Sequence, residues 1–230
     1  GIMLDLIRYG MENATAFKIM ESVRKGKGLT PEWEEQMTAS GVPDWYIESC
    51  KKIKYMFPKA HAAAYVMSAI RLAWYKVHMP VMFYCAMFTA AGGDVDAEIV
   101  MGGRRKVKMV IDEIEKKGRE ASAKEKGQMS TLLLVNECMA RGIKMLGVNI
   151  NKSDAKIFKP EDGGIRLPFL SLPGLGESVA LNIVEAREKE PFFSVEDMQI
   201  RAKVSQSLTE LLRKNGALDG VSETAQITFF

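Results

Sequence analysis

The sequence predicts a mainly α protein, and three observations carry that expectation. Apolar residues recur at helical spacing through most of the first 142 positions. Glycines and prolines fall between these stretches as punctuation. Only after Gly142 does the texture change, to short apolar runs separated by Asn, Asp, Gly and Pro, before helical patterns resume beyond Gly176.

The helices follow in order. In NATAFKIMESVRKG, Asn13 is the expected cap, Ala16, Phe17, Met20 and Val23 form the inward stripe, and Gly26 ends the helix. Thr30 followed by Pro31 reads as an N-cap and first helical position, and that helix stops at Gly41. PDWYIESCKKIKYMF repeats the pattern, with Asp44 as cap and Pro58 as stop. KAHAAAYVMSAIRLAWYKVHM is apolar on nearly every side, the pattern of a helix surrounded by others. Pro80 opens another apolar helix, closed by Gly92 and Gly93. RRKVKMVIDEIEKKG places Val107, Val110, Ile111 and Ile114 on one face behind a basic opening of Arg104, Arg105, Lys106 and Lys108. IKMLGVNI, AKIFK and GIRLPF read as short strands, and EDGG at 161–164 as a tight turn.

Composition bounds the function. With 47% hydrophobic and 27% charged residues the chain forms an ordinary core, and a net charge of +3 means that any nucleic-acid surface must be local. Cys50, Cys85 and Cys138 are far apart, without a CxxC, which fits free thiols in a reducing cytoplasm. Lys59 precedes the apolar stretch 60–91 and His61, Arg71, Lys76, His78 and Pro80 interrupt it, so no membrane span is expected. The chain starts at Gly1, as a piece of a longer protein would.

The sharpest chemical signal is LPGLGESVALNIVEARE, 172–188. Its glycine turn leads into a helix whose first N–H groups point outward, an arrangement suited to a phosphate; a plain connection between helices is the alternative reading. A second unit follows in SVEDMQIRAKVSQSLTELLRKNGAL, with a turn at Ala202–Val204 and Leu208, Leu211 and Leu212 inward. Two such units make a tandem helix–hairpin–helix, which grips a DNA duplex by its backbone without reading bases. The expected contacts are Leu172, Gly174, Leu175, Gly176, Glu177 and Ser178. Lys203 and Ser205 stand in where the second turn lacks glycine. Lys59 and His61 open the Ala-rich helix, and Arg71 lies about 80° around it from His61. These residues either flank one groove, or His61 is a core or capping residue and Lys59 a solvated flank. Asp94 and Asp96 in GGDVD read as turn and cap residues, and no complete active site emerges.

The stretches AFKIMESVRKGKGL, PDWYIESCKKIKYMFPKAHAAAYVMSAIRLAWYKVH and LPGLG resemble the C-terminal part of PolC-type polymerases, the DNA polymerase III alpha subunits of low-GC Gram-positive bacteria. The resemblance runs along the whole chain. It implies a fingers region (1–93), a helical extension of it (94–142), a β-containing connector (143–170), a tandem helix–hairpin–helix domain (171–220) and a flexible tail (221–230). It makes Lys59, His61, Tyr65, Ser68 and Arg71 candidates to face the incoming deoxynucleoside triphosphate. In this family the catalytic aspartates and Mg²⁺ belong to a palm domain that precedes these residues, so the fragment alone is expected to bind no cofactor and to be inactive. The expected partners are primer–template duplex DNA, the nucleotide and the sliding clamp, in the cytoplasm and away from membranes. The ending ETAQITFF fits a clamp-binding peptide made of Gln226, Ile227, Thr228, Phe229 and Phe230. A competing reading is a stand-alone, non-enzymatic DNA-binding or scaffold protein that carries the same hairpins.

Overall fold

The computed structural model describes residues 1–92 and 95–224. Among them helices dominate, joined by one small sheet, in agreement with the mainly α expectation. The chain divides into two units, Gly1–Arg71 and Leu72 onward, each with its own hydrophobic core.

The first unit contains α1 (Ile2–Arg8), α2 (Asn13–Arg24), α3 (Pro31–Ala39), α4 (Asp44–Lys52) and most of α5 (Lys59–His78). Its core gathers Leu6, Ile19, Val23, Met37, Ile47 and Cys50. Thr30 caps α3 as expected, accepting from the Trp33 amide at 3.3 Å with Pro31 next in line. Asn13 and Asp44 are first helical residues rather than caps; Glu12 and Pro43 hold the cap positions, and neither makes a side-chain cap bond. The inward stripe of α2 is Ala16, Ile19 and Val23, and Phe17 is 51% exposed. Ile19, three residues beyond Ala16, takes the core position expected of Phe17.

The larger correction concerns α5. The pattern predicts a helix surrounded by others, yet none of its residues is buried, and Tyr65, Val66, Met67 and Ile70 are each more than half exposed. The reason is that neither hydrophobic core recruits a residue from 59–79. Apolar composition calls for cover without specifying what supplies it.

The second unit continues with α6 (Pro80–Ala91), α7 (Ala97–Met101), α8 (Gly103–Lys117) and α9 (Ala123–Ala140). Asp96 caps α7 by accepting from the amides of Glu98 and Ile99, the role its sequence context suggests; Asp94 lies outside the described residues. Ser122 and Glu125 form a reciprocal capping box on α9. The three cysteines are free and buried, and burial pushes the thiols of Cys85 and Cys138 up to about 11 and about 12.

The connector forms a three-stranded sheet of β1 (Met145–Leu146), β2 (Lys159–Glu161) and β3 (Gly164–Arg166), in the order β1-β3-β2. β1 runs parallel to β3, and β2 antiparallel to it with Pro160 opposite Ile165. The β2–β3 turn has positive φ at both Asp162 (48°) and Gly163 (74°), the twist a two-residue hairpin needs. Arg166 grips Glu161 with two bonds of 2.7 and 2.8 Å and donates to the Gly147 carbonyl.

Arg166 and Lys152 hold the Glu161 carboxyl at about 2, below its ordinary 4.5. A depressed carboxylate stabilises the fold fully above pH 4.5 and loses that contribution as pH falls toward 2. Arg166→Met should therefore show a shallower loss of stability across that window in acid unfolding followed by circular dichroism. Parallel acid limbs for the two proteins would show that the pair contributes nothing.

Candidate nucleic-acid interface

After the sheet come a 3₁₀ turn at Phe169–Ser171, α10 (Glu177–Lys189), α11 (Val195–Ala202) and α12 (Gln206–Lys214). The 3₁₀ turn and α10 flank the first glycine turn, and α11 and α12 flank the second turn.

The two turns share one backbone plan. In the first, Gly174 has φ +96°, Leu175 is buried, and Gly176 is the N-cap of α10. In the second, Lys203 has φ +54°, Val204 is buried, and Ser205 is the N-cap of α12. A left-handed residue, an apolar anchor and a cap thus recur in the same order. The second turn lacks glycine in sequence but not the geometry glycine would provide. Holding a lysine there costs about 1–2 kcal/mol.

The caps differ in what they leave open. Gly176 has no side chain, and among the described residues the amides of Glu177, Ser178 and Val179 have no partner. At α12 the Ser205 hydroxyl accepts from the Leu208 amide at 3.4 Å and pairs with Ser207, leaving fewer free donors. A Cβ added at Gly176 would meet nothing within 4 Å, so a ligand can approach the backbone closely. The first turn therefore presents open backbone donors of the kind that suit an anion, and the second presents the exposed ammonium of Lys203. Glu177 places a carboxylate beside the first site, and Lys156 compensates it at 3.2 Å.

The predicted contact residues divide accordingly. Gly174, Gly176, Glu177, Ser178, Lys203 and Ser205 are exposed around the two turns. Leu172 and Leu175 are 1% and 5% exposed, so their side chains belong to the core and they offer a ligand no more than backbone. Sequence reasoning missed Arg201. It donates to the carbonyls of Ala186 and Glu190, both at 2.6 Å, to that of Pro191 and to Asp197, and lies 5.0 Å from the centre of the Phe192 ring. It also missed Arg187, which donates to the carbonyls of Ile150 and Ser153 and ties α10 to the connector. Neither bond leaves a periodic signal.

On α5, His61, Tyr65, Ser68 and Arg71 fall within an arc of about 120°, while Lys59 starts the helix on the opposite side. All five are exposed. His61 packs between Phe57 and Tyr65, with ring centres at 4.9 and 4.5 Å, so it belongs to an aromatic ladder and not to a core. Among the described residues no group of His, Cys, Asp or Glu is placed to hold a metal ion, and no helix is long and apolar enough to cross a membrane. Ser222 and Glu223 are held in place: the Val195 amide bonds the Ser222 carbonyl, and Arg213 makes two bonds to Glu223. Gln226 to Phe230 lie outside the described residues.

A family profile described as a helix-hairpin-helix motif matches residues 142–226. That span takes in the connector, consistent with the Arg187 bonds and with the Ile150 amide bonding the Ala217 carbonyl. The similarity extends beyond this motif. The whole chain is similar to one stretch of PolC-type DNA polymerase III. It is 48% identical over 229 residues to that protein of Bacillus subtilis, 47% over 231 to that of Lacticaseibacillus paracasei and 49% over 229 to that of Listeria monocytogenes. Each match covers all of this chain and 16% of the PolC relative, so the chain spans about one sixth of their length.

Lys203→Gly should raise the unfolding free energy by about 1 kcal/mol, because glycine adopts the left-handed turn without strain. Urea unfolding measures this, and a less stable variant would mean that the lysine side chain makes contacts outweighing the strain.

Proposed function

We propose that this chain forms part of a PolC-type DNA-directed DNA polymerase and supplies three of its functions: a helix facing the incoming nucleotide, a sequence-independent grip on the primer–template duplex, and a tether to the sliding clamp. The paired left-handed turns are the observation that carries the duplex grip. Two copies of one backbone shape, each ahead of a helix N-terminus, suit successive phosphates along a strand. Bases are not read, as a replicative enzyme requires. The nucleotidyl transfer itself, and the Mg²⁺ that assists it, are assigned to other parts of the longer polymerase; this chain alone is expected to incorporate no nucleotide.

The exposed stripe on α5 fits the nucleotide-facing role. Arg71 and His61 offer positive or hydrogen-bonding groups to a triphosphate, Tyr65 offers a flat apolar ring, and Lys59 opens the helix. The Ser68 hydroxyl donates to the Ala64 carbonyl at 3.0 Å and lines the same stripe. The tail fits a clamp pocket: Gln226 brings directional bonds, and Ile227, Phe229 and Phe230 bring apolar anchors around Thr228. The enzyme works in the cytoplasm on this reading. A stand-alone DNA-binding protein would account for residues 142–226 but not for the similarity along 1–141, which is part of the same end-to-end match.

Duplex binding by the chain should weaken steeply with salt. Lys203→Gln should lower the salt slope by about 1 and weaken binding alike on unrelated sequences. An unchanged slope would remove Lys203 from the interface. Deleting Gln226–Phe230 should abolish binding to the clamp and spare duplex binding; equal clamp affinity with and without the five residues would contradict the tether.

A further inference from the structure

A groove in the first unit is unused by these roles. It is lined by Phe17, Lys18, Glu21, Ser22, Lys25, Lys27 and Trp33 and has a volume of about 440 Å³. Its chemistry is uneven, with two aromatic rings, three lysines and one carboxylate. The carboxylate is already engaged, since Arg24 bonds Glu21 at 2.8 and 3.1 Å and Lys25 at 3.0 Å. Lys18 and Lys27 are exposed and have no carboxylate at salt-bridge distance among the described residues. Phe17 departs from the inward stripe expected of it and stands 51% exposed, whereas Trp33 is half-buried against the core.

The loop that carries Lys25 and Lys27 is built to hold its shape. Gly26 has φ +71°, and a Cβ there would lie 1.8 Å from the Lys54 carbonyl oxygen, so only glycine lets the loop pack this closely. The Met56 amide bonds the Arg24 carbonyl at 3.0 Å, and the Ser22 hydroxyl bonds the Gly28 carbonyl at 2.8 Å. Lys25 and Lys27 are thus presented from a fixed backbone beside an exposed ring.

We propose that this groove binds single-stranded nucleic acid, stacking an unpaired base on Phe17 beside Trp33 and holding the flanking phosphates with Lys18 and Lys27. Positive grooves interleaved with aromatic faces bind single strands through stacking, which tolerates any base, and through phosphate charge. Charge complementarity favours this occupant over an apolar peptide, which would leave the lysines unpaired. The proposal rests on the polymerase reading above, in which an unpaired template strand accompanies the duplex.

The test uses the chain and fluorescein-labelled oligo(dT), with a duplex of unrelated sequence in parallel. Phe17→Leu keeps an apolar side chain at an exposed site and removes the ring; it should weaken oligo(dT) binding about tenfold, while Phe17→Tyr restores it. Lys18→Gln with Lys27→Gln should lower the single-strand salt slope by about 0.7 per lysine. None of these changes should alter duplex binding, and thermal melting checks that each variant folds. Oligo(dT) affinity unmoved by Phe17→Leu would overturn the groove proposal. So would a parent chain that binds duplex and not oligo(dT), and that result would leave the duplex grip standing. A parent chain that binds neither would overturn both.

Discussion

Arg201 holds the two hairpins in one frame. Its guanidinium donates to three carbonyls at the end of α10 and just beyond it, and to Asp197 on its own helix, with the Phe192 ring against it. A helix C-terminus leaves carbonyls without partners, and here the following hairpin supplies the missing donors. Charged donors make such bonds worth more than neutral ones. Arg201 thus helps to fix the spacing between the Gly174 turn and the Lys203 turn without a hydrogen bond to either. Arg187 extends the constraint to the connector through the carbonyls of Ile150 and Ser153. The Ser153 hydroxyl in turn donates to the Leu167 carbonyl at 2.6 Å, next to the sheet.

Within that frame the two turns solve the same problem with different means. The first uses glycine twice: once for a left-handed backbone, once for a cap that leaves helix amides open. The second accepts strain at Lys203 and closes part of its helix end with Ser205. A strained lysine in the left-handed region gives a positive charge at the apex of the turn, which glycine could not. Rigid backbone donors on one side and a flexible ammonium on the other suit a ligand whose phosphates recur but whose sequence varies.

Most of the architecture was legible in the sequence because it rests on local rules. Thr30–Pro31, the EDGG turn, the inward Val107, Ile111 and Ile114, and the glycine turn at 174–176 each follow from neighbours a few residues away. What was not legible depends on distant partners. Arg201 and Arg187 reach carbonyls that are remote in sequence, and no pattern announces them. Lys203 looked like a departure from the hairpin plan because backbone angles are not written in residue type. The α5 helix reads as buried, since its composition demands cover, but the chain's own cores supply none. Phe17 fits the helical stripe by spacing, and only three-dimensional packing shows that Ile19 took the core position.

The central claim is that the N-terminus of α10 and the Lys203 turn form one surface for a DNA backbone. Amide chemical shifts of the labelled chain, followed during titration with duplex DNA, test it most directly. The account predicts the largest changes at Gly176, Glu177, Ser178 and Val179, with a second cluster at Lys203 to Ser205, the same for two unrelated duplex sequences. Changes centred elsewhere, with these amides unmoved at saturation, would contradict it.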